Sequence, residues 1–122
     1  MLFETRYFWA RFTPAEPNQL RKLKDLFDRA QTRLVSSITL YEIMKLSVEK
    51  EGKDVADTRV KTVRSEFKVV NVDAEISSEA GILAARLRIP MADALIMATA
   101  KKMRVPCVTD DPHYSEVKRI WI

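Results

Sequence analysis

The amino-acid sequence predicts a three-layer α/β/α sandwich with a mainly parallel sheet of about five strands. Short apolar runs alternate with longer segments of helical periodicity, which is typical of parallel βα units. The helix predicted over residues 91–103 is apolar on nearly all sides, which favours a helix buried against a sheet. Because 122 residues with 47% apolar side chains suit one core, we expect a single domain over residues 1–122.

The first third of the chain is expected to supply two strands and two helical segments. Asn18 is the predicted N-cap of the second helical segment, since a cap residue stands there before a run with helical periodicity. In order, the predicted elements are a strand at Leu2–Phe3, a helical segment over residues 7–12, a loop over residues 13–17, a helix at Gln19–Ala30 and a strand at Leu34–Ile38.

The segment after the second strand fits a capping box. Thr39 stands three residues before Glu42, so we expect Thr39 as N-cap and Glu42 at the third helical position. The helix is expected to continue to Gly52. Glu42 would then lie directly after a strand, at a helix start.

The remainder of the chain continues the alternation. Asp73 is an expected N-cap, and Pro90 suits a first helical turn because its missing N–H costs nothing there. The predicted elements are helices at Asp54–Phe67, Ala74–Leu87 and Met91–Met103, and strands at Lys68–Val72, Val105–Thr109 and Ile120–Ile122.

Four acids are expected at the carboxyl edge of this sheet. A thirteen-residue helix runs roughly 20 Å and the following strand returns over a similar length, so Asp93 and Asp111 should meet. Glu4 ends the first strand, and Glu42 follows the second. Four carboxylates on one edge repel one another unless a cation is bound, so the pattern favours a divalent metal over helix-dipole, capping and turn roles for each acid.

Composition excludes several other kinds of site. One His and one Cys cannot form a usual zinc site, and two glycines exclude a glycine-rich phosphate loop. Cys107 lies on a predicted buried strand, where a thiol is inert, so a nucleophilic pair with His113 is not expected. The net charge of +4 permits a nucleic-acid partner. No apolar run reaches about eighteen residues, and the N-terminus is unlike a signal peptide, so we expect a cytoplasmic protein without a membrane segment.

Three motifs of the sequence form a recognisable set: Pro90-x-Ala92-Asp93-Ala94-Leu95-Ile96-x-Ala98-Thr99-Ala100 with Val108-Thr109-x-Asp111 and Tyr114, then Ser37-x-Thr39-x-x-Glu42, then Leu2-Phe3-Glu4-Thr5. Together they resemble the PIN domain family, in particular the VapC toxin of VapBC toxin–antitoxin pairs. The resemblance implies a Mg²⁺- or Mn²⁺-dependent endoribonuclease acting on single-stranded RNA. It implies that Glu4, Glu42, Asp93 and Asp111 bind metal and catalyse, with support from Thr109 and from the adjacent Asp110.

The resemblance also implies partners. It implies an antitoxin and a homodimer, and the aromatic run Tyr7–Phe12 and Trp121 agree with an extra interface. Arg6, Arg11 and Lys45 are near the acids in sequence and are candidates for binding the RNA backbone.

Two alternatives stay open. PIN domains normally have Asp where this chain has Glu4, which supports a catalytically weak or inactive domain that binds RNA or protein. A phosphoacceptor receiver domain also carries acids at the carboxyl edge of a parallel sheet, but Glu4-Thr5 lacks the acidic pair that such a domain needs after its first strand.

Overall fold

The computed structural model describes residues 1–13 and 16–122. Residues 14 and 15, which belong to the predicted loop 13–17, lie outside the described residues. None of the helices in the described ranges combines the length and the apolar character that a membrane crossing needs. In chain order the elements are β1 (Leu2–Phe3), α1 (Thr5–Phe12), α2 (Pro17–Arg29), β2 (Leu34–Ser36), α3 (Ser37–Glu51), α4 (Lys53–Glu66), β3 (Lys68–Val70), α5 (Ala74–Leu87), α6 (Met91–Met103), β4 (Cys107–Val108) and β5 (Arg119–Ile120).

The five strands form one parallel sheet in the order β3-β2-β1-β4-β5. This confirms the predicted parallel α/β sheet. The order is unlike the 2-1-3-4-5 arrangement of receiver domains, so the receiver alternative is wrong. The direction of the strand order reverses between β1 and β4, and open parallel sheets bind ligands at the carboxyl ends of the strands beside such a point.

Two cores cover the two faces of the sheet. Alternate strand residues point to opposite faces. One face, carrying Leu2, Leu34 and Cys107, packs against α5 and α6. The next residue of each of these strands points the other way and packs against α1 to α4. The chain therefore has the three layers that the sequence predicts.

The start of α3 differs from the prediction. Ser36 is the N-cap, and its hydroxyl accepts a hydrogen bond from the Ile38 N–H at 3.1 Å. The capping box of Thr39 and Glu42 is therefore wrong, because an earlier serine satisfies the free amide groups of the helix. Glu42 lies in the second turn, where its side chain is available for a tertiary contact.

Of the other predicted helix ends, some are confirmed and some are wrong. Asp73 caps α5 as expected, with Oδ1 accepting from the Ile76 N–H at 2.8 Å, and the bounds of α5 and α6 match. Asn18 does not cap α2, because the helix already begins at Pro17 and the Asn18 side chain accepts from Arg21. The strands β2 to β5 are each shorter than predicted.

The aromatic run of α1 is divided between the core and the surface. Tyr7 and Phe8 are fully buried and make edge-to-face contacts with each other and with Phe67. Trp9 and Phe12 are half-buried. Core packing therefore accounts for Tyr7 and Phe8 without a second protein.

Candidate active site

Glu4 lies directly after β1 and caps α1. Only 3% of the residue is exposed. Its Oε2 accepts hydrogen bonds from the Thr109 hydroxyl at 2.9 Å and from the Arg6 N–H at 3.2 Å. The carboxylate is thus held at the point where the strand order reverses.

Thr109 follows β4, and its side chain links the end of β4 to the end of β1, where the strand order reverses. Its hydroxyl is buried, donates to Glu4 and accepts from the Asp111 N–H at 3.0 Å. One hydroxyl therefore fixes the distance between the acid that follows β1 and the loop that carries Asp111.

Asp93 and Asp111 approach each other around His113. The Nδ1 atom of His113 lies 2.9 Å from Asp93 Oδ2 and 3.3 Å from Asp111 Oδ1. The buried Tyr114 hydroxyl donates to Asp93 Oδ1 at 3.2 Å. One potential ligand atom from each of Asp93, Asp111 and His113 lies within 4.8 Å of the others.

Glu42 extends from α3 toward α1. Its Oε1 accepts a hydrogen bond from the Thr5 hydroxyl at 2.6 Å, and the same hydroxyl lies 3.2 Å from Thr39 Oγ1. Glu4 and Glu42 are not part of the tight group formed by Asp93, Asp111 and His113. They flank it.

Glu4 and Glu42 are both affected by the charge of Asp93. The pKa of Glu4 is raised to about 7, chiefly by burial and also by the charges of Asp93 and Glu42, although the hydrogen bonds from Thr109 and Arg6 act to lower it. Burial also raises the pKa of Glu42, to which Asp93 again contributes. The charge of Asp93 therefore acts on both glutamates, and a cation bound beside Asp93 would relieve that repulsion.

Besides Thr109, four residues are predicted to assist, and Arg6, Asp110 and Lys45 are brought to this edge. Arg6 pairs with Asp110 through Nε–Oδ1 at 2.5 Å and Nη2–Oδ2 at 3.2 Å, and both side chains are exposed. Lys45 is exposed on α3 near Glu42, whose pKa its charge lowers.

Arg11 is the fourth and points elsewhere. Its guanidinium contacts both carboxylate oxygens of Glu66 at 3.0 and 3.1 Å, where α4 ends just before β3. Because α1 runs away from the carboxyl edge, two helical turns separate Arg11 from Glu4. Nearness in sequence did not place it beside the acids.

Sequence reasoning missed the position of His113. It considered the residue only as a partner for Cys107, but Cys107 is fully buried in the core and burial raises its thiol pKa well above the usual value. The available signal was the spacing, because His113 stands two residues after Asp111 and its own N–H donates to Asp111 Oδ1 at 2.9 Å. Thr5 was likewise missed as the partner of Glu42.

The donor set fits a hard divalent cation. Mg²⁺ and Mn²⁺ prefer carboxylate oxygens, and Asp93 and Asp111 provide them on a partly buried surface. Glu4 and Glu42 add negative charge near Asp93. The imidazole of His113 is a further possible ligand that suits Mn²⁺ better than Mg²⁺.

Comparisons with known proteins agree with this architecture. The PIN domain family profile matches residues 5–120. Solved structures with a similar fold include VapC20 of Mycobacterium tuberculosis, described as a toxin that cleaves the sarcin–ricin loop (18% identity, TM-score 0.78, covering 93% of this chain and 92% of that one). Another is a DNA-bound VapBC complex from Salmonella typhimurium (17% identity, TM-score 0.78, 98% and 96% covered).

A toxin–antitoxin complex from Klebsiella pneumoniae is also similar (22% identity, TM-score 0.73, covering 91% of this chain and 86% of that one). A comparison with curated protein sequences gives no match. At these identities the solved structures bear on the fold alone, whereas the family profile spans nearly the whole sequence. The chain therefore belongs to the PIN domain family.

Proposed function

We propose that this protein is a Mg²⁺- or Mn²⁺-dependent endoribonuclease that cleaves single-stranded RNA. The observation that carries the proposal is the approach of Asp93 to Asp111 where the strand order reverses, with Glu4 and Glu42 near enough to feel the charge of Asp93. Helix-dipole compensation or turn formation would explain each acid alone. Neither explains why acids from separate elements gather at one edge, where the charge of Asp93 helps to raise the pKa of both Glu4 and Glu42.

In this proposal Asp93 and Asp111 hold the ion, and Glu4 and Glu42 complete the acidic site. When bound, such an ion activates water and neutralises charge at a phosphodiester. Tyr114 and Thr109 hold the acids in place, because each donates a buried hydroxyl to one of them. Arg6 and Lys45 attract the RNA backbone to the rim, and Asp110 orients Arg6.

We further propose that the protein is the toxin of a VapBC-type pair, working in the cytoplasm as a homodimer under the control of an antitoxin. Several similar solved structures are of toxin–antitoxin complexes, from Rickettsia felis, Salmonella typhimurium and Klebsiella pneumoniae. Co-expression with the product of any small adjacent gene, followed by co-purification, tests the antitoxin. Sedimentation of the purified protein at tens of micromolar tests the dimer.

A second candidate is a weak or inactive PIN domain that binds RNA or protein. The observation in its favour is the state of Glu4, whose pKa near 7 leaves it partly protonated in neutral solution and whose Oε2 is occupied by Thr109. The deciding experiment measures cleavage of labelled single-stranded RNA with Mn²⁺, with Mg²⁺ and with EDTA. The nuclease proposal expects cleavage that EDTA stops, whereas the binding module retains RNA affinity without cleavage.

A further inference from the structure

Tyr41 is unusual among the aromatic residues of this chain. Its residue surface is 61% exposed, whereas every other aromatic residue is buried or half-buried. It stands on α3 directly before Glu42, one of the acids of the proposed active site. The most exposed of the Phe, Tyr and Trp side chains therefore stands on the helix that carries Glu42.

Helix geometry places Tyr41 on the same face of α3 as Ile38 and Lys45. Ile38, Tyr41 and Lys45 are spaced i, i+3, i+7 and share one face of α3. Ile38, at the start of this face, packs into the core that includes α6, the helix that carries Asp93. This face therefore begins at the core beside α6 and continues to Tyr41 and Lys45, which are both exposed to solvent.

Lys45 supplies a cation on this face. It is exposed and forms no ion pair with any residue in the described parts of the chain, unlike Lys24, Lys53, Lys101 and Lys102. It is one turn from Tyr41, a spacing at which side chains are neighbours. The result is an aromatic ring and an unpaired cation side by side.

We infer that Tyr41 stacks on a base of the bound RNA, next to the phosphate held at the acidic site, while Lys45 contacts the adjoining backbone. This rests on the RNA-binding part of the proposed function. Single-stranded nucleic acid is bound without strict sequence preference by aromatic rings that stack on bases, beside cations that follow the backbone. A protein partner fits less well, because the cores of protein interfaces are depleted in Lys.

The test is the affinity for a short labelled single-stranded RNA, measured by fluorescence anisotropy in EDTA so that cleavage is stopped. Tyr41→Ala should weaken binding roughly 5- to 100-fold, which corresponds to the loss of one stacked base. Tyr41→Phe should bind like the wild type, since it keeps the ring. The matched control is Ile82→Ala on α5, which removes a side chain of similar exposure (57%) and should change nothing.

An abasic strand of the same length identifies the group that Tyr41 contacts. The wild type should bind the abasic strand no better than Tyr41→Ala binds that same strand. The inference is overturned if Tyr41→Ala binds normal RNA as tightly as the wild type, or if it loses affinity equally for the abasic strand. It is also overturned if sedimentation shows that Tyr41→Ala separates protomers while RNA affinity per protomer is unchanged, since Tyr41 would then contact a second copy.

The nuclease proposal is judged separately, because the binding assay does not depend on cleavage. Tyr41-dependent RNA binding without cleavage in any metal would refute the nuclease and support the stacking inference. Cleavage by a protein whose RNA affinity does not depend on Tyr41 would support the nuclease and refute the stacking inference. A protein that binds no single-stranded RNA in EDTA and cleaves none in Mn²⁺ or Mg²⁺ would overturn both.

Discussion

Thr109 donates its hydroxyl to Glu4 at 2.9 Å and so ties the end of β4 to the end of β1. The same oxygen accepts from the Asp111 N–H. We expect Thr109→Val to lose both bonds with almost no change in shape. Because it leaves buried polar groups without partners, it should lower the free energy of unfolding by about 1–3 kcal/mol and reduce RNA cleavage.

Urea denaturation in EDTA measures the cost of Thr109→Val. Thr109→Ser is the matched control, since it keeps the hydroxyl and should retain most of both properties. A Thr109→Val variant with the stability and activity of the wild type would show that the hydroxyl does not organise the site.

Glu4 should make the metal-free protein less stable as the pH rises. Its pKa is about 7 in the folded state against 4.5 in the unfolded state, so the folded state binds more protons between these values. The favourable contribution of protonated Glu4 is complete below about pH 4.5 and is lost as the pH rises through 7. The full shift corresponds to about 3 kcal/mol, and Glu42 acts in the same direction.

Urea denaturation in EDTA from pH 5 to pH 8 measures this slope. Glu4→Gln should flatten it, because the amide does not titrate. Glu116, whose pKa its partners Arg86 and Lys101 lower to about 2, affects stability only below pH 4.5 and does not interfere. A wild-type protein whose stability rises over this range would contradict the burial of an uncompensated Glu4.

Arg6 and Arg11 should behave differently toward RNA. Arg6→Gln should weaken RNA binding and reduce the slope of log affinity against log salt concentration by about one phosphate contact. Because the Arg6–Asp110 pair is exposed, the free energy of unfolding should fall by less than about 1 kcal/mol. Arg11→Gln is the matched control, because Arg11 pairs with Glu66 away from the acids. It should lower stability and leave RNA affinity unchanged. Fluorescence anisotropy over a series of salt concentrations measures the RNA affinity of both variants. Equal losses of affinity would contradict the different roles given to Arg6 and Arg11.

His113 should affect Mn²⁺ more than Mg²⁺. Its Nδ1 lies between Asp93 and Asp111, and imidazole suits transition metals better than Mg²⁺. We expect His113→Ala to weaken Mn²⁺ binding about tenfold and Mg²⁺ binding little. Calorimetric titration with each ion at one pH measures this. Unchanged Mn²⁺ affinity would mean that His113 does not bind the ion.

The sequence predicted the fold well where one local signal decided the structure. The apolar run from Met91 to Met103 has no polar face, and its length was enough to bring Asp93 back to the end of β4. Asp73 was recognised as a cap because it stands directly before the run of helical periodicity that begins at Ala74. Both predictions depended on local physics that the tertiary structure did not override.

The sequence failed where two local choices compete or where the contact is tertiary. Ser36 and Thr39 can both cap α3, and the earlier one does so, which frees Glu42 for Thr5. The position of His113 depends on how the loop after β4 returns toward α6, and no short-range pattern encodes that. The same limit applies to Arg11, whose partner Glu66 is 55 positions away in the chain.

The central claim is that Asp93 is a metal ligand within a group of acids that repel one another. Asp93→Asn keeps the shape and an oxygen that can accept from Tyr114, but removes the charge. If Asp93 only compensated the helix dipole, the variant would lose about 0.3–1 kcal/mol of stability and keep its activity. If it is a ligand, the variant loses metal-dependent activity and also some repulsion with Glu4 and Glu42.

The most direct measurement compares RNA cleavage in Mn²⁺ with thermal melting in EDTA, for the wild type and for Asp93→Asn. We expect the variant to cleave RNA no faster than the EDTA control, while its metal-free melting temperature equals or exceeds that of the wild type. An Asp93→Asn protein that melts earlier in EDTA and still cleaves RNA in Mn²⁺ would contradict the assignment of this site.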